Sequence, residues 1–179
     1  MADNPAFTAA EQALFEALLA CCEHYLEWGC GTSTMIAASR VSGSITSIDS
    51  SRDWIARVRH TIKPPLPPMS RFVYADIGAV GAFGYPINES ARDRWPDYSD
   101  PLRHSTRRPD LVLVDGRFRV ACALRTFAAW NTLVLIHDYQ RSHYAAIGEH
   151  GREIARAERL SLFIGYSDKV PERYLHDPR

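Results

Sequence analysis

Two short stretches restrict the architecture of this chain more than anything else in it. Leu111-Val112-Leu113-Val114 and Leu133-Val134-Leu135-Ile136 are uninterrupted apolar runs, followed by Asp115 and by His137-Asp138. A strand with one solvated face alternates apolar and polar side chains. A strand apolar at every position is buried on both faces, as in a mainly parallel sheet covered by helices. Ser44-Ile45-Thr46-Ser47-Ile48-Asp49, residues 25–28 and residues 71–74 add three further strands that end at or near an acid.

Helical patterns separate the strands. Thr8-Ala9-Ala10-Glu11 has the form of a capping box, and Leu14, Phe15, Leu18, Leu19 and Cys22 make one apolar stripe of a helix reaching about Cys22. Residues 32–40 read as the next helix, with a Ser or Thr at its N-cap. Trp54, Ile55, Val58 and Ile62 mark a third, stopped by Pro64-Pro65. A helix over about 142–150 and a strand pair over 152–160 and 161–166 complete the pattern. The expectation is an α/β, doubly wound sheet in a single domain spanning 1–179.

Residues 77–109 interrupt this alternation with Gly78, Gly81, Gly84, Pro86, Pro96 and Pro101 and with Phe83, Tyr85, Trp95 and Tyr98. Loops longer than ~12–15 residues inside a compact domain are usually functional, disordered or hiding a helix. The aromatics argue against disorder. A helix over 88–94 is expected, and a substrate lid and plain surface packing both remain open for the insert.

Composition excludes several classes of function. The chain has 179 residues, 46% hydrophobic and 23% charged, which are ordinary globular values. Its 21 basic and 21 acidic residues cancel, so it lacks the field that non-specific nucleic-acid binding needs. Nucleic acid is accordingly not an expected partner. Only Lys63 and Lys169 of the basic residues are lysines. Cys21, Cys22, Cys30 and Cys122 form neither a C-x-x-C pair nor a Cys/His cluster, which argues against a zinc site or a disulfide framework. Residues 1–10 lack a basic region followed by an apolar run, and no stretch approaches the ~18 apolar residues that span a bilayer. A cytoplasmic protein without membrane contact is expected; its oligomeric state is not legible.

The acids carry the functional argument. Glu27, Asp49, Asp76, Asp115 and Asp138 all fall at the carboxyl ends of expected strands, where open α/β sheets bind ligands. Any one of them is explained as a helix N-cap; five along one edge are harder to dismiss. Glu27-Trp28-Gly29-Cys30-Gly31-Thr32-Ser33 brings two glycines next to an acid. A dinucleotide fingerprint would need glycine at position 34, which is Thr34. An acid at the mouth suits an ammonium group and repels a pyrophosphate, while Asp49 is placed for a ribose diol. Ammonium and ribose without a phosphate cradle describe an amino-acid nucleoside.

With these motifs the sequence resembles the class I S-adenosyl-L-methionine-dependent methyltransferases, over about residues 8–166. The resemblance rests mainly on the E-x-G-x-G-x-S turn and the acid ending the second strand. It implies a seven-stranded Rossmann-like sheet with an antiparallel last strand. It also implies that Glu27, Gly29, Gly31 and Ser33 line the methionine part of the cofactor, that Asp49 holds the ribose, and that Ser50, Asp76 and Ile77 face the adenine. Asp115 would contact cofactor or substrate. Asp115-Gly116-Arg117-Phe118-Arg119 departs from the signature of amino-directed methyltransferases acting on nucleobases or glutamine, which lowers those acceptors.

Asp115 and Asp138 are similar in placement to metal-binding acids of catechol-type O-methyltransferases. Tyr139 stands where that pattern has Asn, so Mg²⁺ is weighed but not favoured. His137 and His143 are the candidate general bases, with Asp115 and Asp138 beside them. Arg117 and Arg119 either clamp a substrate anion or pair with the neighbouring acids. Arg103, Arg107 and Arg108 with His104 read as a solvated loop rather than an anion patch. The expected function is methyl transfer to a small molecule, with oxygen the favoured acceptor. The alternative is a catalytically silent cofactor-binding or regulatory domain of the same fold.

Overall fold

A computed structural model describes residues 6–166 and 168–179. The first five residues of the stretch read for a targeting signal lie outside the described residues. Seven strands form one sheet: β1 (His24–Trp28), β2 (Ser44–Asp49), β3 (Arg71–Tyr74), β4 (Leu111–Val114), β5 (Leu133–Ile136), β6 (Gly151–Ala157) and β7 (Leu160–Gly165), in spatial order β3-β2-β1-β4-β5-β7-β6. The first five pair in parallel, and β7 runs antiparallel to both β5 and β6. The reversal in order between β1 and β4 creates the crevice where ligands of such sheets bind. The doubly wound, seven-stranded expectation holds, except that the strand expected over 152–160 ends at Ala157, because Glu158 and Arg159 form the turn into β7.

The two continuous apolar runs show why the sheet is central. Leu111, Leu113 and Leu135 pack on one face with Phe15 and Leu19 of α1 (Ala9–Leu19) and with Ala37 and Ala38 of α2 (Thr32–Ala38). Val112, Val114, Val134 and Ile136 pack on the other. There they meet α6 (Arg119–Ala129), the insert's Trp95 and Tyr98, and Tyr144 and Ile147 from a 3₁₀ segment, Ser142–Glu149. α3 (Arg52–Thr61) closes a smaller cluster, in which its Ile55 and Val58 meet Cys30.

Several expected details shift. α1 ends at Leu19 rather than near Cys22. Gly31, not a Ser or Thr, caps α2, because Thr34 turns back and accepts from the Gly31 amide at 2.9 Å. Trp54 is 45% exposed instead of joining the core stripe, its indole donating to the Cys30 carbonyl. In the insert, a 3₁₀ turn at Ala82–Gly84 and a second at Arg92–Arg94 precede α4 (Trp95–Tyr98) and α5 (Pro101–His104), and no helix spans 88–94. A proline lies in the first turn of both short helices, where its missing amide costs nothing. The last helix expected over 142–150 is present as 3₁₀ rather than α structure. No helix among the described residues is long and apolar enough to cross a membrane.

The β1–α2 turn is pressed against the end of β4. Gly29 has φ +90°, and a Cβ there would lie 2.8 Å from the Gly116 amide nitrogen. Left-handed backbone and backbone overlap both oppose a side chain at this position. Gly29→Ala should therefore cost about 2 kcal/mol or more in urea unfolding. A loss below about 0.5 kcal/mol would contradict the close approach described here.

Candidate functional site

The acids of the ligand edge have five different environments. Glu27 is fully buried, so the carboxylate expected at the mouth does not reach it. Tyr25, Ser33 and Ser47 donate to it at 3.0, 2.6 and 2.6 Å, and Thr34 donates as well. Burial pushes its carboxyl up, and the four hydroxyls pull against that. Glu27 thus ties β1, β2 and the start of α2 into one turn. Gly31 behaves differently from Gly29: a Cβ there would meet nothing within 4 Å, so this part of the turn faces open space.

Asp49 is half-buried at the end of β2, accepting from the Cys30 amide at 3.2 Å and the Ser51 amide at 2.9 Å. Burial raises its carboxyl, and these amides partly offset the rise. Ser50 is buried beside it, within 3.0 Å of where a Gly84 Cβ would stand, so the insert passes directly over this edge. Asp76 is exposed, held by the Gly78 amide at 3.0 Å and paired with Arg94. Ile77 is fully buried, and its carbonyl accepts from the Trp95 indole. The insert also places Tyr98 against Gly116, with its hydroxyl accepting from the Arg117 amide at 3.1 Å. Nearby Phe83 carries φ +55° and is 89% exposed at the tip of the loop.

Asp115 and Asp138 belong to one network around Arg119, which is 4% exposed. Its guanidinium lies 2.9 Å from Asp115 and 3.4 Å from Asp138, and also donates to the carbonyls of Asp115, Gly116 and His137. Arg141 and Arg159 reach Asp138 at 2.6 and 3.6 Å. A cation already bridges the two acids, an arrangement that does not suit a divalent ion. Among the described residues no group of three or more His, Cys, Asp or Glu side chains is disposed to hold a metal.

His137 is buried, with Nδ1 3.0 Å from Asp115 and Nε2 3.7 Å from Glu11. Its ring meets Phe7 edge-on at 5.4 Å, under the start of α1. Burial alone would lower its pKa, but the hydrogen bond and charge of Asp115, aided by Asp138, hold it above the usual value. The converse applies at Asp115, where burial is outweighed by Arg119 and His137 and the carboxyl stays low. His143 stands apart, half-exposed against the Tyr144 ring at 4.2 Å, with Nε2 lacking a hydrogen-bond partner. Partial burial and the charges of Arg179 and Arg141 lower its pKa.

Glu11 is the residue sequence reasoning missed. Its carboxylate closes the capping box with the Thr8 amide at 2.8 Å. The same group takes Arg159 through side-chain bonds of 3.0 and 2.9 Å and a backbone bond of 3.0 Å. Burial would raise this carboxyl, but Thr8 and Arg159 overcome that and hold it low. The capping motif was legible; nothing in the sequence pairs it with a residue 148 positions away.

Glu11 and His137 set opposite pH limits on stability. A lowered carboxyl contributes above its unfolded pKa of about 4.3 and is lost as pH falls through the folded value. A raised histidine contributes fully below about 6.5 and is lost as pH rises through its folded value. The thermal unfolding midpoint should therefore be highest between about pH 5 and 6.5. In His137→Gln the decline on the alkaline side should flatten, and an unchanged decline would refute the assignment.

Comparison with known proteins fits this geometry. The chain is 30% identical to a methyltransferase-like protein from Silicibacter pomeroyi DSS-3, covering 97% of each chain with a TM-score of 0.85. It shares its fold with the N-methyltransferase NodS from Bradyrhizobium japonicum WM9, at 15% identity, 93% coverage of this chain, 100% of that one and a TM-score of 0.53. No protein-family model and no curated protein matches the sequence. With the sheet order, the acid-ended strands and a 30% identical relative spanning nearly its whole length, the chain belongs to the class I, Rossmann-like S-adenosylmethionine-dependent methyltransferases.

Proposed function

We propose that the protein transfers a methyl group from S-adenosyl-L-methionine to a small-molecule acceptor, at oxygen, in a cytoplasmic setting. The observation that carries this reading is the Asp49 carboxylate at the end of β2, beside the open side of Gly31. The Cys30 amide and thiol hold one Asp49 oxygen and the Ser51 amide the other, which fixes the group, and the oxygen bound by Ser51 keeps a lone pair for a ribose hydroxyl. In this reading Ser50, Asp76 and Ile77 border the adenine. Gly29, Gly31 and Ser33 border the methionine part, with Glu27 holding Ser33 and Thr34 in place from behind.

When bound, the cofactor supplies a methyl carbon activated by a sulfonium leaving group. The chain's residues align the acceptor oxygen with that carbon and take up its proton as the C–O bond forms and the C–S bond breaks. His143 is the favoured base: its lowered pKa keeps it neutral near pH 7, and its Nε2 has no competing partner. His137, whose pKa Asp115 holds above the usual value against the effect of burial, is a positioning residue, and Asp115 and Asp138 act with it through Arg119.

Calorimetry should show S-adenosylhomocysteine binding that weakens at least tenfold in Asp49→Ala, the cost of losing charge-assisted hydrogen bonds. Failure of the folded wild type to bind it would overturn the reading. Once a screen with labelled methyl donor yields an acceptor, kcat/KM should fall only below pH 6.5. That acid limb should vanish in His143→Gln, with a loss of about a hundredfold or more. Tight binding with no transfer to any hydroxyl or amine acceptor would favour the silent domain.

A further inference from the structure

Ser50, which borders the adenine in the reading above, is only 4% exposed. Its cover is the insert: a Cβ built on Gly84 would lie 3.0 Å from the Ser50 Oγ. Carbon atoms in contact lie about 3.5–4.0 Å apart, so a ring seated between two groups holds them roughly 7 Å apart. No ring fits between Gly84 and Ser50 as they stand. An adenine reaches the Ser50 side chain only if the backbone at Gly84 moves away.

The segment that carries Gly84 is built as a small unit of its own. Val80 pairs with Pro86 in an antiparallel bridge, the Gly81 amide donates to the Tyr85 carbonyl at 2.8 Å, and the Ile87 amide donates to the Ala79 carbonyl at 3.0 Å. The Tyr85 amide closes the turn onto the Ala82 carbonyl at 3.3 Å, with Phe83 at φ +55° and Gly84 at φ +73°. Two successive left-handed residues make a type I′ turn, whose usual first residue is asparagine, aspartate or glycine. Phe83 lacks that preference, and with 89% of it in solvent its ring does not anchor the tip.

Ala79, Gly81, Ala82 and Ile87 are exposed as well. Val80 resting on the core, Gly84 on Ser50, and Tyr85 beneath Arg117 tie the hairpin to the body. The Arg117 guanidinium lies 4.0 Å over the Tyr85 ring, the geometry of a cation–π contact. Gly78, left-handed at φ +90°, joins the hairpin to the buried Ile77, whose carbonyl is fixed by the Trp95 indole. A short element with little buried apolar surface and with exposed backbone hydrogen bonds belongs to the low-stability end of a fold, from which lids are drawn.

We propose that hairpin 79–87 is a gate over the adenine end of the cofactor site, hinged at Gly78 and latched by Tyr85 on Arg117 and by Gly84 on Ser50. The cofactor and the latched hairpin compete for one place, so binding takes only those molecules in which the latch is broken. Apparent affinity is reduced by that fraction. Removing a residue that touches the cofactor weakens binding. Removing the latch does the opposite, raising association rate and affinity together. This inference rests on the methyltransferase reading of the Asp49 edge.

The test measures S-adenosylhomocysteine binding by calorimetry and by stopped-flow tryptophan fluorescence. Tyr85→Ala should raise the association rate constant and the affinity about fivefold, the gain in open molecules when one cation–π contact is lost, and leave the dissociation rate constant unchanged. Tyr85→Phe keeps a ring face under Arg117 and should stay within about twofold of wild type. Unchanged kinetics in Tyr85→Ala, or a loss of affinity, overturns the gate. In the double variant Ser50→Cys/Gly84→Cys the two thiols are placed for a disulfide. Its oxidised form should not bind S-adenosylhomocysteine, and reduction should restore binding; a cross-linked form that binds as well as the reduced one also overturns the proposal. Wild-type protein that fails to bind S-adenosylhomocysteine defeats the methyltransferase reading instead. The latch is then decided by hydrogen exchange at the Gly81, Tyr85 and Ile87 amides: faster exchange in Tyr85→Ala than in Tyr85→Phe supports it, and equal exchange refutes it.

Discussion

Arg119 is buried where the ends of β4 and β5 meet the first turn of α6, and it is bound to the carboxylates and carbonyls of both strand ends. Lone buried charges are expensive, so this guanidinium and its acids persist only as a set. The set orients Asp115, which orients His137, which in turn faces Glu11 at the start of α1. Removing any one member leaves an uncompensated charge in the next. The ligand edge of the sheet is thus a rigid electrostatic frame rather than a row of independent acids.

Much of this frame was legible in the residues and part was not. The runs Leu111–Val114 and Leu133–Ile136 announced buried parallel strands because no polar face interrupts them, and the first five strands stand within a residue of where the pattern put them, whereas the last pair, read as abutting at 160/161, is parted by a turn at Glu158 and Arg159. The Thr8–Glu11 box was recognised by its local spacing. Local spacing carries no information on what a side chain meets across the fold. Glu27 was read as a mouth residue because it precedes the glycine turn. The hydroxyls of Tyr25, Ser33, Thr34 and Ser47 enclose it, and two of those four, Tyr25 and Ser47, come from positions that look unremarkable in sequence. The Gly29 backbone lies against Gly116, a contact across the fold that the turn motif alone does not reveal. In the insert the signal was present but differently placed: Pro96 and Pro101 each mark the first turn of a short helix, and Asp100 caps the second.

The insert is the irregular stretch among the alternating strands and helices. It sends Tyr98 against the β1–β4 junction, Tyr85 under Arg117 and Gly84 over Ser50, so a single segment packs across the ends of β1, β2 and β4. Phe83, held at a positive φ and almost wholly in solvent, lies on the same segment; strained exposed residues of this kind are typical of ligand-contacting loops.

The bond between Glu11 and Arg159 gives the site a place in the order of folding. The partners are 148 residues apart, so closing their loop must wait for nearly the whole chain. A ribosome delivering the protein from its N-terminus releases α1 early, with a carboxylate that has only half its partners. The sheet can grow from β1 to β5 in that interval. The charge network at its edge completes only when the β6–β7 turn arrives, just ahead of the β7 side chains Leu160, Leu162 and Phe163 that finish the core.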